Sequence, residues 1–409
     1  MSGVCIENSL TEIEQIMKSI SIYIHIPFCV KKCQYCDFLS APADSRAQEV
    51  YLRTLKQEIR EQAARYREYE VQTVFIGGGT PTAVPCEKLC EVLKTVFTCY
   101  RVNPHAEISM EANPGTVTKE TLLSYRKAGI NRISIGLQSA DDGELKLLGR
   151  IHTYRDFQQT YRWAQEAGFT NINLDIMSAL PGQSVENYKK TLETVLSLKP
   201  QHISAYSLIV EEGTPFYEKY GQESEKLQAT GEKQPDLPSE EEEREMYTLT
   251  EKLLATAGYH RYEISNYALP GMECRHNRVY WKRGNYVGFG LGAASMVENV
   301  RFENTRKMQE YLAEYAGVPG AEPVSAGVAQ GDEQELSNEQ EFSLREDTHS
   351  ENAQEFSIRE NVHPLSQQEQ MEETMFLGLR LTEGVSKAEF HRQFGVSMEQ
   401  IYGEVIRKN

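Results

Sequence analysis

The stretch Ile22-Tyr-Ile-His-Ile-Pro27, continued by Phe28-Cys29-Val-Lys-Lys-Cys33-Gln-Tyr-Cys36, decides how the rest of the chain reads. Its first half is β-branched at every second position and stops at a proline, as a strand does. Its second half puts thiols at i, i+4 and i+7 on the loop leaving that strand. Three thiolates so spaced can converge on one inorganic centre, and soft sulfur donors favour iron–sulfur or zinc. A structural zinc site usually completes four protein ligands, and no second closely spaced cysteine pair stands nearby. On a 4Fe–4S cluster, three ligands leave one iron open to an outside group.

Beyond this loop, β-branched runs at Ser21 to Ile26, Thr73 to Ile76, Glu107 to Glu111, Arg132 to Leu137, Asn171 to Met177 and His202 to Ser207 alternate with helix-like stretches. Those stretches lie near Ala47 to Tyr69, Glu87 to Phe97, Lys119 to Ala128, Tyr154 to Ala167 and Val185 to Leu198. Such alternation predicts a parallel sheet with crossover helices. Six units are too few to close the usual eight-stranded barrel, so an α/β partial barrel is expected, with its chemistry at the C-terminal strand ends. Further along, Ser239 followed by Glu242 reads as a capping box opening a helix from Glu240 to Leu254.

The chain has 409 residues and a formal charge of −17, with twelve acidic and two basic residues between Ala321 and Gln370. That length suits two or three domains, and the overall charge argues against nucleic acid as a partner. Residues 1–20 read as an N-terminal segment, 21–210 as the barrel, 211–315 as its extension and 316–370 as an acidic low-complexity insertion. Residues 371–409 read as a small helical C-terminal domain. Within the insertion, Gln340-Glu-Phe-Ser-Leu-Arg-Glu346 recurs as Gln354-Glu-Phe-Ser-Ile-Arg-Glu360. Its composition predicts disorder, against a short charged helical hairpin. No run is long and apolar enough to span a bilayer, and Met1 to Ile20 lacks a basic region followed by an apolar stretch. Eight cysteines are too few for a disulfide framework. A cytoplasmic location is expected.

The Cys-x3-Cys-x2-Cys loop, with Tyr35 before its last cysteine, resembles the radical S-adenosylmethionine superfamily. The resemblance implies a 4Fe–4S cluster on Cys29, Cys33 and Cys36, and S-adenosylmethionine on its open iron. Gly77-Gly78-Gly79-Thr80-Pro81-Thr82 resembles the family's loop for the methionine amino group, which carries the expectation to Gly78, Gly79 and Thr80. Glu111, Gln138, Arg150 and Asp175 follow at successive strand ends. With Tyr23 and Tyr35 they resemble the S-adenosylmethionine contacts of oxygen-independent coproporphyrinogen dehydrogenase and its relatives. Taken singly, each is as well explained as a capping or solvated loop residue.

Two features separate the chain from that dehydrogenase. Position 38 is Phe38 where the dehydrogenase has a further cysteine, and only Met1 to Ile20 precedes the first strand where it has a long extension. Cys274-Arg-His276-Asn277-Arg-Val-Tyr280-Trp281 instead contains His-Asn-x-x-Tyr-Trp, which resembles the signature of the HemW haem chaperones, as does Asp37-Phe38. The resemblance implies a haem site at His276, Asn277, Tyr280 and Trp281, and delivery of haem to acceptor haemoproteins, membrane respiratory enzymes among them. Imidazole is a common axial haem ligand, and Tyr and Trp offer flat apolar surface with a polar edge. Whether His276 ligates iron or shapes the pocket is open, with Cys274 a competing thiolate. A homodimer is also open, as is whether the chain acts as an enzyme on coproporphyrinogen III or another substrate. The likeness covers Ser21 to Tyr315 and resumes at Met371, where Met375 to Leu381 looks like the start of a shared C-terminal domain. It departs at Ala179, where relatives commonly have Gly, and at Ala294, where a His is frequent. Cys86, Cys90, His105 and His202 read as structural.

Overall fold

The computed structural model describes residues 17–221, 235–315 and 358–408. Six strands, β1 (Lys18–Ile26), β2 (Tyr69–Gly78), β3 (Val102–Ala112), β4 (Arg132–Gln138), β5 (Ile172–Ser178) and β6 (His202–Ser207), pair in parallel and in chain order. Beyond them lie β7 (His260–Arg261), β8 (Asn266–Ala268), β9 (Tyr286–Phe289), β10 (Ala294–Val297), β11 (Val300–Asn304) and β12 (Arg359–Pro364). The sheet runs β12-β11-β10-β9-β1-β2-β3-β4-β5-β6-β8-β7 and does not close on itself. The expected partial barrel is present, extended on both edges.

The alternation of side chains along the strands explains why this sheet holds a site. On β1, Ile22, Ile24 and Ile26 are wholly buried against the helical layer, as are Val74 and Ile76 of β2 and Ile133, Ile135 and Leu137 of β4. The residues of opposite parity turn the other way. Tyr23, Phe75, Glu111, Arg132, Ser134, Asn173, Asp175, Ser204 and Tyr206 border a single interior cavity. A closed barrel would fill this space with branched apolar side chains. Here the inner face is polar.

Helices Ser45–Gln62, Cys86–Cys99, Lys119–Lys127, Tyr154–Glu166 and Val185–Leu198 provide the crossovers, and the helix Glu240–Thr256 begins at the Ser239 and Glu242 capping box. Two of the additions without a strong sequence signal bear on the barrel. One is the short helix Asp142–Leu147; the other is β9, which pairs in parallel with Ser21 to Ile24. The region assigned by composition to an insertion lies, over residues 316–357, outside the described residues. From Ile358 onward, β12 pairs with β11, and the Arg359 guanidinium lies 4.1 Å over the Phe302 ring. Helices Gln367–Gly378, Lys387–Phe394 and Met398–Lys408 follow, closed around Phe390, Phe394 and Met398.

Candidate functional site

The loop after β1 is held from several sides, which presents its three thiols together. Cys29 N–H donates to the Ala41 carbonyl (3.1 Å), Gln34 N–H to Leu148 (3.0 Å), and Phe216 N–H to Gln34 (3.0 Å). Cys29, Cys33 and Cys36 border one cavity of about 130 Å³ with Tyr35, Gly78, Gly79, Thr80, Glu111, Gln138, Arg150 and Asp175. Among the described residues, no three His, Cys, Asp or Glu side chains gather closely enough for a single metal ion. The thiols stand around a space, an arrangement into which a multi-atom cluster fits. All three are free thiols, and burial pushes that of Cys36 up to about 11. Two donors point at the sulfurs: the Thr80 hydroxyl at Cys29 (3.6 Å) and the Arg150 guanidinium at Cys33 (3.7 Å). Such donors stabilise charge on cluster-bound sulfur.

The glycine loop needs its glycines here. Gly78 sits at φ +117°, and a Cβ on Gly79 would stand 2.7 Å from the Phe28 carbonyl and 2.9 Å from Cys29 Sγ. Gly78 N–H donates to Glu111 (3.2 Å). Burial, and secondarily the charge of Asp175, pushes the Glu111 carboxyl up to about 8, so it is protonated at neutral pH. Burial also raises Asp175, although Ser134 (3.0 Å) and Asn173 (2.8 Å) donate to it. Asn113 ties the cavity together: its amide donates to Thr80 (2.7 Å) and its carbonyl accepts from Arg150 (2.5 Å), which also reaches the Gly136 carbonyl (2.8 Å). Gln138, at φ +71°, holds a left-handed backbone at the end of β4, a strain often found at binding sites.

A second cavity of about 200 Å³ shares Glu111, Ser134 and Asp175 with the first and receives Tyr23, His276, Asn277 and Tyr280. The structure thus brings together every candidate except Trp281, which borders neither cavity and lies under Arg380 of the C-terminal region at 4.3 Å. Tyr23 donates to His25 Nδ1 (3.0 Å), because His25 Nε2–H is committed to the Leu39 carbonyl (2.9 Å). His276 is 1% exposed, with Nδ1 2.7 Å from Thr73 Oγ1 and Nε2 2.9 Å from the Tyr280 hydroxyl. Burial, then the nearby Arg132, lowers it to about 3, so the imidazole is neutral. Both ring nitrogens are therefore occupied. Cys274 is also fully buried; its thiol donates to Glu107 (3.5 Å) and is pushed up to about 12 by burial. Neither residue presents a free donor atom to a haem iron as arranged.

Sequence reasoning missed the groups that hold this helix, Arg275–Trp281. The helix lacks a capping side chain of its own, and Glu107 of β3 fills the role by accepting from the amides of Arg275 (2.9 Å) and His276 (3.1 Å). Glu107, Arg132, Asn173 and His202 share the inward parity of Glu111 and Asp175, which was the available signal. His202 is bonded at Nδ1 to Asn173 (2.5 Å) and at Nε2 to Tyr262 (2.8 Å), a wall residue. Ala179 adopts φ +58°, a left-handed backbone that a glycine would hold without strain. Ala294 is exposed on β10 and borders neither cavity.

The chain matches the family model described as Radical SAM superfamily over residues 23–195 and that described as HemN C-terminal domain over residues 365–408. It is 36% identical over 388 residues to a haem chaperone HemW of Bacillus subtilis, covering 95% of this chain and 90% of that one. To a haem chaperone HemW of Lactococcus lactis it is 33% identical over 394 residues, covering 96% and 89%. Among solved structures, the coproporphyrinogen III oxidase HemN of Escherichia coli, a radical SAM enzyme, superposes with a TM-score of 0.74 at 21% identity, covering 96% of this chain and 82% of that one. This last likeness is one of fold.

Proposed function

We propose that this chain, which belongs to the HemW family of the radical SAM superfamily, is a haem chaperone that binds haem and passes it to acceptor haemoproteins. The observation that carries the reading is likeness to haem chaperones along nearly the whole chain, joined to a cavity where three thiols meet the inward polar residues of β2 to β5. Superfamily membership implies a 4Fe–4S cluster and S-adenosylmethionine. When bound, these supply one-electron cleavage of a sulfonium. In our reading Cys29, Cys33 and Cys36 hold the cluster, with Thr80 and Arg150 donating to the sulfurs. Gly78, Gly79 and Thr80 let backbone approach the methionine end, while Tyr23, Tyr35, Glu111, Gln138, Arg150 and Asp175 receive the rest of the nucleotide. The neutral Glu111 acid can donate a hydrogen bond where a carboxylate could only accept.

His276, Asn277 and Tyr280 form the wall of the haem-facing cavity. The hydrogen bonds at both nitrogens of His276 favour a pocket-shaping role over iron ligation. Trp281 acts from outside, fixing the C-terminal helices through Arg380. No helix among the described residues is long and apolar enough to cross a membrane. The rival reading is oxidative decarboxylation of coproporphyrinogen III, favoured by the shared fold and opposed by Phe38. Anoxic incubation of the cluster-loaded protein with coproporphyrinogen III, S-adenosylmethionine and a reductant separates them. We expect haem binding without protoporphyrinogen; its formation would overturn the chaperone reading.

A further inference from the structure

We infer that Arg132 anchors a second binding subsite inside the barrel, one that receives a carboxylate of the ligand. Arg132 opens β4, is 2% exposed and borders the 200 Å³ cavity with Ser204, Tyr206, Asn277 and Tyr280. Its Nε has no hydrogen-bond partner, and among the described residues no carboxylate oxygen lies within ion-pair distance of the guanidinium. Arg150 and Arg283 also leave one nitrogen without a partner, Nε and Nη1 respectively, but their other nitrogens are engaged. Arg150 meets Asn113, Gly136 and Cys33, and Arg283 meets Glu373 at 3.2 Å.

Two acids stand near Arg132 without pairing with it. Glu107 and Asp175 are close enough for Arg132 to feel their charge, yet their oxygens lie beyond ion-pair distance of it and accept from other groups. Glu107 accepts from Cys274, Arg275 and His276; Asp175 accepts from Ser134 and Asn173. A buried cation without a partner costs several kcal/mol, and a guanidinium offers a planar fork that matches a carboxylate. A monoanion fits better than a phosphate, because Asp175 shares the cavity and would repel a dianion, whereas protonated Glu111 adds a donor. That cavity takes an acid on a short chain. The ligand is thus a propionate arm of a porphyrin seated at the cavity mouth, or a free small carboxylic acid. The first source rests on the haem-chaperone reading; the carboxylate site itself does not.

The test uses the full chain, cluster-loaded and anoxic, with deuteroporphyrin and its dimethyl ester as one probe pair and butyrate with butyramide as the other. Porphyrin binding is read by fluorescence, and the small acid by thermal shift. In wild type the free diacid should bind about tenfold or more tightly than the ester, the worth of a charge-assisted pair. Arg132→Met should bring that ratio near one, with Arg132→Lys between, while iron content stays constant. Equal binding of diacid and ester, together with no stabilisation by butyrate over butyramide, would overturn the site, and this comparison needs only wild type if the variants fail to fold. If neither porphyrin binds but butyrate stabilises wild type and not Arg132→Met, the carboxylate site stands and the haem reading fails. If butyrate also has no effect, both fall.

Discussion

The hydroxyl of Tyr280 lies 2.9 Å from Nε2 of His276, one helical turn before it, while Thr73 Oγ1 stands 2.7 Å from Nδ1. An imidazole engaged at both nitrogens is built into its pocket, and a metal would have to displace one bond to reach it. His276→Ala should therefore weaken haem binding through lost packing, yet leave the axial-ligand signature in the Soret and low-temperature electron paramagnetic resonance spectra unchanged. Disappearance of a histidine-type signature would restore His276 as the iron ligand.

Glu107 holds two amides at the start of the Arg275–Trp281 helix. Glu107→Ala removes both bonds and strands the buried His276 amide, at about 1–3 kcal/mol for that donor. The Arg275 and His276 amides should then exchange hydrogen much faster than in wild type, ahead of neighbouring β3. Unchanged protection would show that another group caps the helix.

Much of the barrel was readable from the chain because each strand carries a β-branched run bounded by a glycine or polar loop, and each crossover helix carries an apolar stripe. His202–Ser207 and Val185–Leu198 coincide with their expected limits. β9 was not legible: its four residues owe their place to pairing with β1, a contact that no local pattern encodes. The strand-end residues Glu111 and Asp175 drew notice through resemblance, whereas Glu107 and Arg132, equally inward, did not. Their parity on a strand becomes meaningful only once the other face is known to be packed by Ile133 and Ile135. Glu58, on the first crossover helix, was missed because its partners Gly290, Asn304 and Tyr311 lie far along the chain.

That buried acid sets a pH dependence. Burial pushes Glu58 up to about 7 despite three donors, so the folded state binds a proton that the unfolded chain releases near its ordinary value of 4.5. Its contribution is therefore fully favourable below about pH 4.5 and is lost as pH rises towards 7. Between about pH 5 and pH 8 it should remove roughly 2 kcal/mol of stability. Glu58→Gln should flatten that part of the profile; a slope identical to wild type would contradict the assignment.

Gly79 packs against the cysteine loop with no room for a methyl group. Gly79→Ala must push Cys29 or the Phe28 carbonyl aside, at about 1–3 kcal/mol of overpacking. Iron retained after anoxic reconstitution and desalting should drop well below wild type, with the helix content of the chain preserved. Full iron loading would show that the thiols do not depend on this contact.

Mössbauer spectroscopy of the anoxically reconstituted, iron-57-labelled protein, before and after S-adenosylmethionine, bears hardest on the cysteine site. Three cysteines around one cavity predict a 4Fe–4S cluster in which a single iron changes its spectrum when the nucleotide binds, with the signal lost in Cys33→Ala. One zinc per chain in place of iron, or four irons that all ignore the nucleotide, would contradict it.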